Sequence, residues 1–399
     1  MNSAAKMILS RYCSATNILN KCARLSISPS PRTYLTQCRS SKNGLFETTL
    51  VSKNPQLVLS ASYGKKGEHK DDDKKKSPPK VVVDLDAGSD DAIALLMLLA
   101  AHKRCDIDLK AITCVGGNAR LDNVVVNTMR VLEATGQTEI PVYKGCKEAL
   151  IPAKVENPEE EGWHGKDGFG DVKHKTQPNM CRLKEEHAVI ALNQLACKHA
   201  GELTMIFLGP LTNVAICMKM FPKFVKRVKQ FYVMGGNWMG VGNISNAAEF
   251  NFGMDPESAH IFFSNVLNQV VILPWETCFN SKLTAKWRME TMGKIDNPYM
   301  KLMNAVEASI FKMHPHVAYE ACDPSCVACM LNPKVIKKFV DIHIGIELNG
   351  KLTRGQMVLD HTRSMKDSCK PNVKIVTALN TEIFKKMLMF AAGHKNAGY

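Results

Sequence analysis

The sequence lacks any apolar run long enough to cross a membrane, and it has no apolar secretion signal near its start. Its 14 cysteines are scattered, and Cys326 and Cys329 form a CxxC without a second pair at the spacing of a zinc site. These absences argue against a membrane protein, a disulfide framework and a zinc module. We therefore expect the cysteines to be reduced, with Cys326 and Cys329 packing in a helix.

Acidic residues are absent from residues 1–46, which contain seven Lys/Arg and many serines. Residues 1–80 hold 15 Lys/Arg and 5 Asp/Glu, so most of the net charge of +14 lies there and only +4 remains for the rest. Residues 64–80 are a charged low-complexity linker. We predict a disordered basic extension over 1–79 and a folded domain over 80–399. The extension favours a mitochondrial location, with a plain basic tail on a cytoplasmic protein as the alternative, and the nearly neutral remainder gives no reason to expect a nucleic-acid partner.

Residues 80–100 hold a dense group of carboxylates between two apolar segments. A β-branched run at 81–83 predicts a buried strand, and 92–100 predicts a helix with Ser89 as its N-cap. The turn between them carries Asp84, Asp86, Asp90 and Asp91. Singly these would be capping or solvated residues, but four together repel one another unless a cation binds. Oxygen-only ligands indicate calcium or magnesium.

Strand and helix patterns alternate along the rest of the chain. Buried strands are predicted at 108–115, 203–208, 228–234 and 270–273, and helices at 123–135 and 187–199. This βαβ order predicts an α/β domain with a mainly parallel central sheet flanked by helices. Ligands bind at the carboxyl ends of strands in such sheets, which is where the aspartates lie.

Several motifs in this order resemble those of the inosine-uridine preferring nucleoside hydrolases. They are DLDAGSDDA (84–92), HGKDGF (164–169), GPLTN (209–213) and the MGG…GN…AEFN stretch (234–251). Ala87 stands where the family usually has proline. The resemblance covers about residues 80–390 and implies a Rossmann-like nucleoside hydrolase fold.

The resemblance also implies a set of site residues. Calcium would be held by Asp86, Asp91, Asp323 and the backbone carbonyl of Leu208, with Asp86 also acting as the general base. The substrate-binding positions are Asp90, Asn118, His164, Met234, Asn243, Glu249 and Asn251. His164 would lie near the nucleobase, on which Trp163 or Phe169 could stack.

Cys322 occupies the position where the family usually has the histidine that assists the departing base. We assign Cys322 as a catalytic residue, although a thiol is a weak donor. His314, His316 and Tyr319 lie just upstream as alternative proton donors. The preferred base is left open by the sequence.

The predicted activity is calcium-dependent hydrolysis of the N-glycosidic bond of ribonucleosides, which gives ribose and a free base. The resemblance implies a homo-oligomer, either a dimer or a tetramer, with a ribonucleoside as the small-molecule partner and no nucleic-acid or membrane partner. Two alternatives remain: a haloacid-dehalogenase-like phosphatase, which also carries a DxD after a strand, and a catalytically impaired nucleoside or metal binder.

Overall fold

The computed structural model describes residues 77–399 except 153–161, 267–269, 282, 315–317, 364–369, 395–396 and 399, together with three segments of residues 1–76. The chain divides into two compact units, Met1–Lys76 and Ser77–Tyr399. We describe each unit by itself.

In the first unit the structure forms a three-stranded antiparallel sheet in the order β1-β2-β3, comprising Leu35–Ser40, Phe46–Val51 and Val58–Tyr63. The composition predicts an extension without regular structure here, whereas these segments are rich in residues that favour strands. Most of the predicted transit peptide, at 1–34 and 41–45, lies outside the described residues. The mitochondrial location stays a prediction.

The second unit is built on a nine-stranded sheet in the order β11-β14-β10-β9-β8-β4-β5-β6-β7. Its strands pair in parallel except for β11, which runs antiparallel to β14 at one edge. The mainly parallel sheet predicted from the sequence is therefore confirmed. The strands are Lys80–Leu85 (β4), Asp108–Cys114 (β5), Val142–Lys144 (β6), Leu183–Lys184 (β7), Leu203–Phe207 (β8), Val228–Met234 (β9), Val270–Leu273 (β10), Ile336–Ile342 (β11) and Val373–Leu379 (β14), with Ile344–Ile346 (β12) and Met357–Leu359 (β13) forming a separate pair.

Helices connect most of these strands, as is usual for parallel pairing. No helix in the described part of the chain combines the length and apolar character needed to cross a membrane. The α-helices are Ser89–Lys103 (α1), Leu121–Thr135 (α2), Ala188–Lys198 (α3), Thr212–Met220 (α4), Phe224–Arg227 (α5), Phe250–Met254 (α6), Pro256–Asn265 (α7), Trp275–Phe279 (α8), Ala285–Glu290 (α9), Pro298–Met313 (α10), Cys322–Leu331 (α11) and Thr381–Ala391 (α12).

The sheet is buried on both faces by two hydrophobic clusters. Val81 and Val83 of β4 belong to one cluster, and Val82 between them belongs to the other. This alternation follows from the two-residue period of a strand, and both faces being covered explains why β4 is apolar throughout. Cys326 and Cys329 lie buried in α11, and the cysteines in the described part of the chain are free, as predicted.

The start of α1 differs from the prediction in one respect. Gly88, not Ser89, is the N-cap, and Ser89 is the first helical residue. The Asp91 carboxylate accepts a hydrogen bond from the Gly88 N–H (2.9 Å) and thereby supplies the side-chain oxygen that glycine lacks. The predicted strand at 81–83 extends to Lys80–Leu85.

Asn213, at the start of α4, joins three strand ends beneath the aspartate-bearing turn. Its amide nitrogen donates to Asp84 Oδ2 (2.8 Å) and to the Cys114 carbonyl (3.0 Å), and its oxygen accepts from the Cys146 N–H (2.8 Å). Thr113 Oγ1 also donates to Asp84 Oδ2, at 2.5 Å. Burial raises the pKa of Asp84 to about 7, and these two donors oppose that rise.

We expect Asn213→Ala to lower the free energy of unfolding by at least ~2 kcal/mol, because it leaves several buried polar groups without partners. Chemical denaturation measures the change. The matched control is Asn265→Ala, which removes an exposed amide bonded to the Ile261 carbonyl (2.7 Å) and should change stability by less than ~0.5 kcal/mol. Equal losses in the two variants would contradict the role given to Asn213.

Candidate active site

The site begins in the turn between β4 and α1, where one carboxylate fixes the backbone. Asp91 Oδ2 accepts from the Gly88 N–H and from Asn118 Nδ2 (3.0 Å), and Asp91 Oδ1 accepts from the Asp86 N–H (3.2 Å). The side chain that caps the helix therefore also fixes the preceding turn and Asn118, which follows β5.

Asp86 is fully buried at the carboxyl end of β4. Its Oδ2 accepts from the Asn118 N–H at 2.8 Å. A Cβ atom at Gly117 would lie 2.0 Å from Oδ2, and one at Gly209 would lie 2.7 Å from Oδ1. Glycine is therefore required on both sides of this carboxylate, which explains the glycines that follow β5 and β8.

Three carboxylates come together beside Asp86. Oxygens of Asp90, Asp91 and Asp323 lie within 4.8 Å of one another. Asp323 lies in the first turn of α11, and its side chain hydrogen-bonds that of Asp91. Burial, followed by the charge of Asp90, raises the pKa of Asp91 to about 7 and raises that of Asp323 well above its ordinary value.

These residues fit a hard divalent cation. Buried oxygens of Asp86 and Asp90, in each case Oδ1, have no hydrogen-bond partner among the described residues. Burial and the charge of Asp91 raise the pKa of Asp86 well above its ordinary value. A cation would satisfy such oxygens and favour their ionised forms, and a donor set of oxygens alone suits calcium or magnesium.

The structure brings together part of the predicted ligand set. Asp91 and Asp323 are neighbours, as expected. The third carboxylate in their group is Asp90, which the resemblance assigns to ribose binding, and Asp86 is not part of this group. The Leu208 carbonyl accepts from Asn251 Nδ2 at 2.7 Å. The assignment of Asp86 and Leu208 as ligands stays a prediction.

Several predicted ribose-binding residues lie at or after the end of β9. Glu249 caps α6 by accepting from the N–H groups of Asn251 (2.9 Å) and Phe252 (3.2 Å). It also accepts from the Gly236 N–H (2.8 Å), and burial raises its pKa to about 7. Asn251 Nδ2 lies 3.2 Å from the Met234 carbonyl. These three predicted residues therefore form one hydrogen-bonded unit.

Asn243 lies apart from that unit, on the exposed loop between β9 and α6. Glu276, which the sequence analysis missed, anchors this loop: its buried carboxylate accepts from the N–H groups of Trp238 (2.8 Å), Met239 (2.8 Å) and Val241 (3.2 Å). No local signal marks Glu276, because its partners are 35 or more residues away.

The HGKDGF segment places its histidine beside the carboxylates. His164 Nδ1 interacts with Ser89 Oγ (2.9 Å) and accepts from the Ser89 N–H (3.3 Å), which directs Nε2 towards Asp90 Oδ1 at 3.6 Å. Burial lowers the pKa of His164, so the ring is neutral at neutral pH.

Of the two aromatic residues proposed to stack on a base, Trp163 stacks on His314 with ring centroids 4.3 Å apart. Phe169 is fully buried in the core, so its proposed stacking role is wrong.

Most of the predicted site residues line one cavity of about 1250 Å³ at the carboxyl ends of the strands. The predicted site residues that line it are Asp90, Asn118, His164, Leu208, Met234, Asn243, Glu249, Asn251, Cys322 and Asp323. Asp86 and Asp91 lie directly beneath, bonded to Asn118. The cavity wall also includes Glu307 and Tyr319, which form a buried polar group with Arg288.

Cys322 is the first residue of α11, and its thiol hydrogen-bonds Cys278. That bond and burial raise the pKa of Cys322 well above its ordinary value. The thiol therefore stays protonated at neutral pH and faces the cavity as a weak donor.

Comparison with known proteins agrees with this arrangement. Residues 81–386 match the family model of the inosine-uridine preferring nucleoside hydrolases. A protein of that name from Leishmania major is 31% identical over 299 residues, covering 74% of this chain and 92% of the relative. A pyrimidine-specific ribonucleoside hydrolase of an Enterobacter species is 29% identical over 315 residues, covering 77% and 96%.

Solved structures give the same result. A plant nucleoside hydrolase superposes with a TM-score of 0.71 at 26% identity, covering 79% of this chain and 99% of the other. A purine-preferring ribonucleoside hydrolase from Gardnerella vaginalis gives a TM-score of 0.69 at 25% identity, covering 78% and 98%. The family resemblance and the nucleoside hydrolase fold inferred from the motifs are confirmed, and the phosphatase alternative is excluded. The chain therefore belongs to the inosine-uridine preferring nucleoside hydrolases, metal-dependent enzymes that hydrolyse the N-glycosidic bond of ribonucleosides.

Proposed function

We propose that this enzyme is a calcium-dependent hydrolase of both purine and pyrimidine ribonucleosides, releasing ribose and the free base. The observation that carries the proposal is the group of buried carboxylate oxygens at the carboxyl end of β4, several without hydrogen-bond partners among the described residues, in a cavity whose lining includes Asn118, Asn243 and Asn251. The named activities of the relatives, which include purine-preferring and pyrimidine-specific hydrolases, support the broad substrate range.

The proposed calcium ligands are Asp86, Asp91, Asp323 and the Leu208 carbonyl. A divalent cation held by these oxygens would supply the positive charge that makes water a better nucleophile at neutral pH. The preference for calcium rests on the wholly oxygen donor set and on its tolerance of irregular coordination.

Asp86 is the proposed general base. Its Oδ2 is fixed by the Asn118 N–H, while its buried Oδ1 has no hydrogen-bond partner among the described residues. Oδ1 can therefore accept the proton of the attacking water. The water oxygen bonds to the anomeric carbon as that carbon gains oxocarbenium character, and the glycosidic electron pair leaves with the base.

The ribose is proposed to bind between two walls of the cavity. Asp90 and Asn118 lie on the side of β4 and β5, and Asn243, Glu249 and Asn251 lie on the side of β9. Carboxylates and amides accept and donate as ribose hydroxyls require. A sugar held at several hydroxyls presents its anomeric carbon to Asp86 in one orientation.

We expect chelator-treated protein to lose ribose release from inosine, adenosine, guanosine, uridine and cytidine, and calcium to restore it. The loss follows because the buried carboxylates would remain protonated or repel one another without a cation. Reducing-sugar release measures activity, and magnesium and zinc are added in parallel to test ion selectivity. Undiminished activity after chelation would contradict calcium dependence, and no release by the calcium-loaded protein would favour the alternative of an impaired binder.

We expect Asp86→Asn to lower kcat on the best nucleoside by about 10²-fold or more, because the amide keeps the shape of the carboxylate but cannot accept the proton. The matched control is Asp296→Asn, which removes a surface carboxylate paired with Lys301 (2.7 Å) and should leave kcat unchanged. Circular dichroism establishes that both variants are folded. A folded Asp86→Asn enzyme with near-normal turnover would refute the proposed role.

A further inference from the structure

A buried charged group in the cavity wall has no part in the mechanism described so far. Arg288 of α9 is completely buried and forms an ion pair with Glu307 of α10, which is 3% exposed. Arg288 also donates to Asn304 Oδ1 (2.9 Å), and Asn304 donates to the Gly293 carbonyl (2.7 Å). Desolvating two charges is costly, and a buried ion pair by itself is weak evidence of a stabilising role.

Tyr319 connects this ion pair to the cavity. It is 6% exposed and lines the cavity three positions before Cys322. Its hydroxyl interacts with both Glu307 and Arg288, without a hydrogen bond of standard geometry to any described residue. Its ring packs against Phe311 in an edge-to-face arrangement, with centroids 6.2 Å apart. The phenol is therefore held at the cavity wall, with its hydroxyl beside both charged groups.

Hydrolysis of a nucleoside needs such a donor on the nucleobase side. When the C1′–N bond breaks, its electron pair goes to the base nitrogen, and a base that leaves as an anion is a poor leaving group. A hydrogen bond or proton supplied to the base in the transition state lowers that barrier.

The other candidate donors are placed less well. His164 accepts a hydrogen bond at Nδ1 and directs Nε2 to Asp90, and His314 stacks on Trp163 and is not among the cavity-lining residues. His316 lies outside the described residues. Cys322 does line the cavity, but its S–H is a weaker donor than a phenol.

We propose that Tyr319 donates its hydroxyl proton to the departing nucleobase and that Glu307 and Arg288 are positioning residues that orient this hydroxyl. This inference rests on the N-glycosidic hydrolysis proposed above. The C1′–N electron pair and the Tyr319 proton go to the base, which leaves neutral. The attacking water gives its oxygen to C1′ and a proton to Asp86. Solvent then returns a proton from Asp86 to the phenolate of Tyr319, so the enzyme is unchanged after each cycle.

The guanidinium of Arg288 contributes to this step. Its positive charge stabilises negative charge on the Tyr319 oxygen, whereas the charge of Glu307 opposes it. Burial and Glu307 keep the pKa of Tyr319 well above its ordinary value, so the hydroxyl carries its proton in the resting enzyme. Glu307 is thereby expected to orient the O–H, and Arg288 to limit the cost of transferring its proton.

The test compares Tyr319→Phe with the wild-type enzyme on leaving groups that differ in their need for a proton. Inosine requires protonation of its base, whereas p-nitrophenyl riboside and 7-methylinosine have leaving groups that depart readily without it. We expect Tyr319→Phe to lower kcat/KM on inosine by about 10²-fold or more, with at most a few-fold change on the two activated substrates. The matched control is Tyr299→Phe, which changes a tyrosine near the start of α10 that does not line the cavity. This variant should behave as wild type on all three substrates.

An equal fall on inosine and on the activated substrates would overturn the proposal, because it would indicate a structural role. An unchanged inosine rate would overturn it too. Glu307→Gln should show the same leaving-group dependence to a smaller degree, and Cys322→Ala is assayed in parallel. If Cys322→Ala alone shows the leaving-group dependence, the thiol is the donor. Absence of turnover by the wild-type enzyme on inosine and on both activated substrates would instead refute the proposed function itself.

Discussion

The structure depends on burying several carboxylates at the carboxyl ends of the strands of a parallel sheet. Parallel strands covered on both faces leave their carboxyl ends as the place where polar side chains can converge on a ligand. Here Asp84, Asp86, Asp91 and Asp323 are each at most 2% exposed, and burial raises the pKa of every one. Such a group needs hydrogen-bond donors beneath it, and its oxygens fit a divalent cation.

The donors come from residues whose main role is positional. Asn213 and Thr113 satisfy Asp84, and the Asn118 backbone and side chain satisfy Asp86 and Asp91. Gly117 and Gly209 leave no Cβ where Asp86 must fit. Orienting partners of this kind decide where the reactive oxygens lie, which is why hydrolytic sites extend well beyond the groups that touch substrate.

Much of the fold and part of the site could be predicted from local patterns. The alternation of strands and helices gave β9 and β10 with the same bounds as the structure, and the turn after β4 was placed at the site because strand ends converge. Motif resemblance placed Glu249, Asn251 and Met234 together, and they form one hydrogen-bonded unit. Phe169 and the Gly88 cap were misjudged, because burial and cap geometry depend on what packs against a residue.

The sequence by itself determined the apolar strands, the glycines beside Asp86 and the order of the motifs, since these depend on neighbours along the chain. Only the tertiary structure decided that Asp90 joins Asp91 and Asp323, that Glu276 anchors the Asn243 loop, and that Arg288, Glu307 and Tyr319 meet at the cavity wall. Those contacts join residues distant in sequence. They form because a buried charge must find a partner, and only the packed sheet and helices determine which partner is within reach.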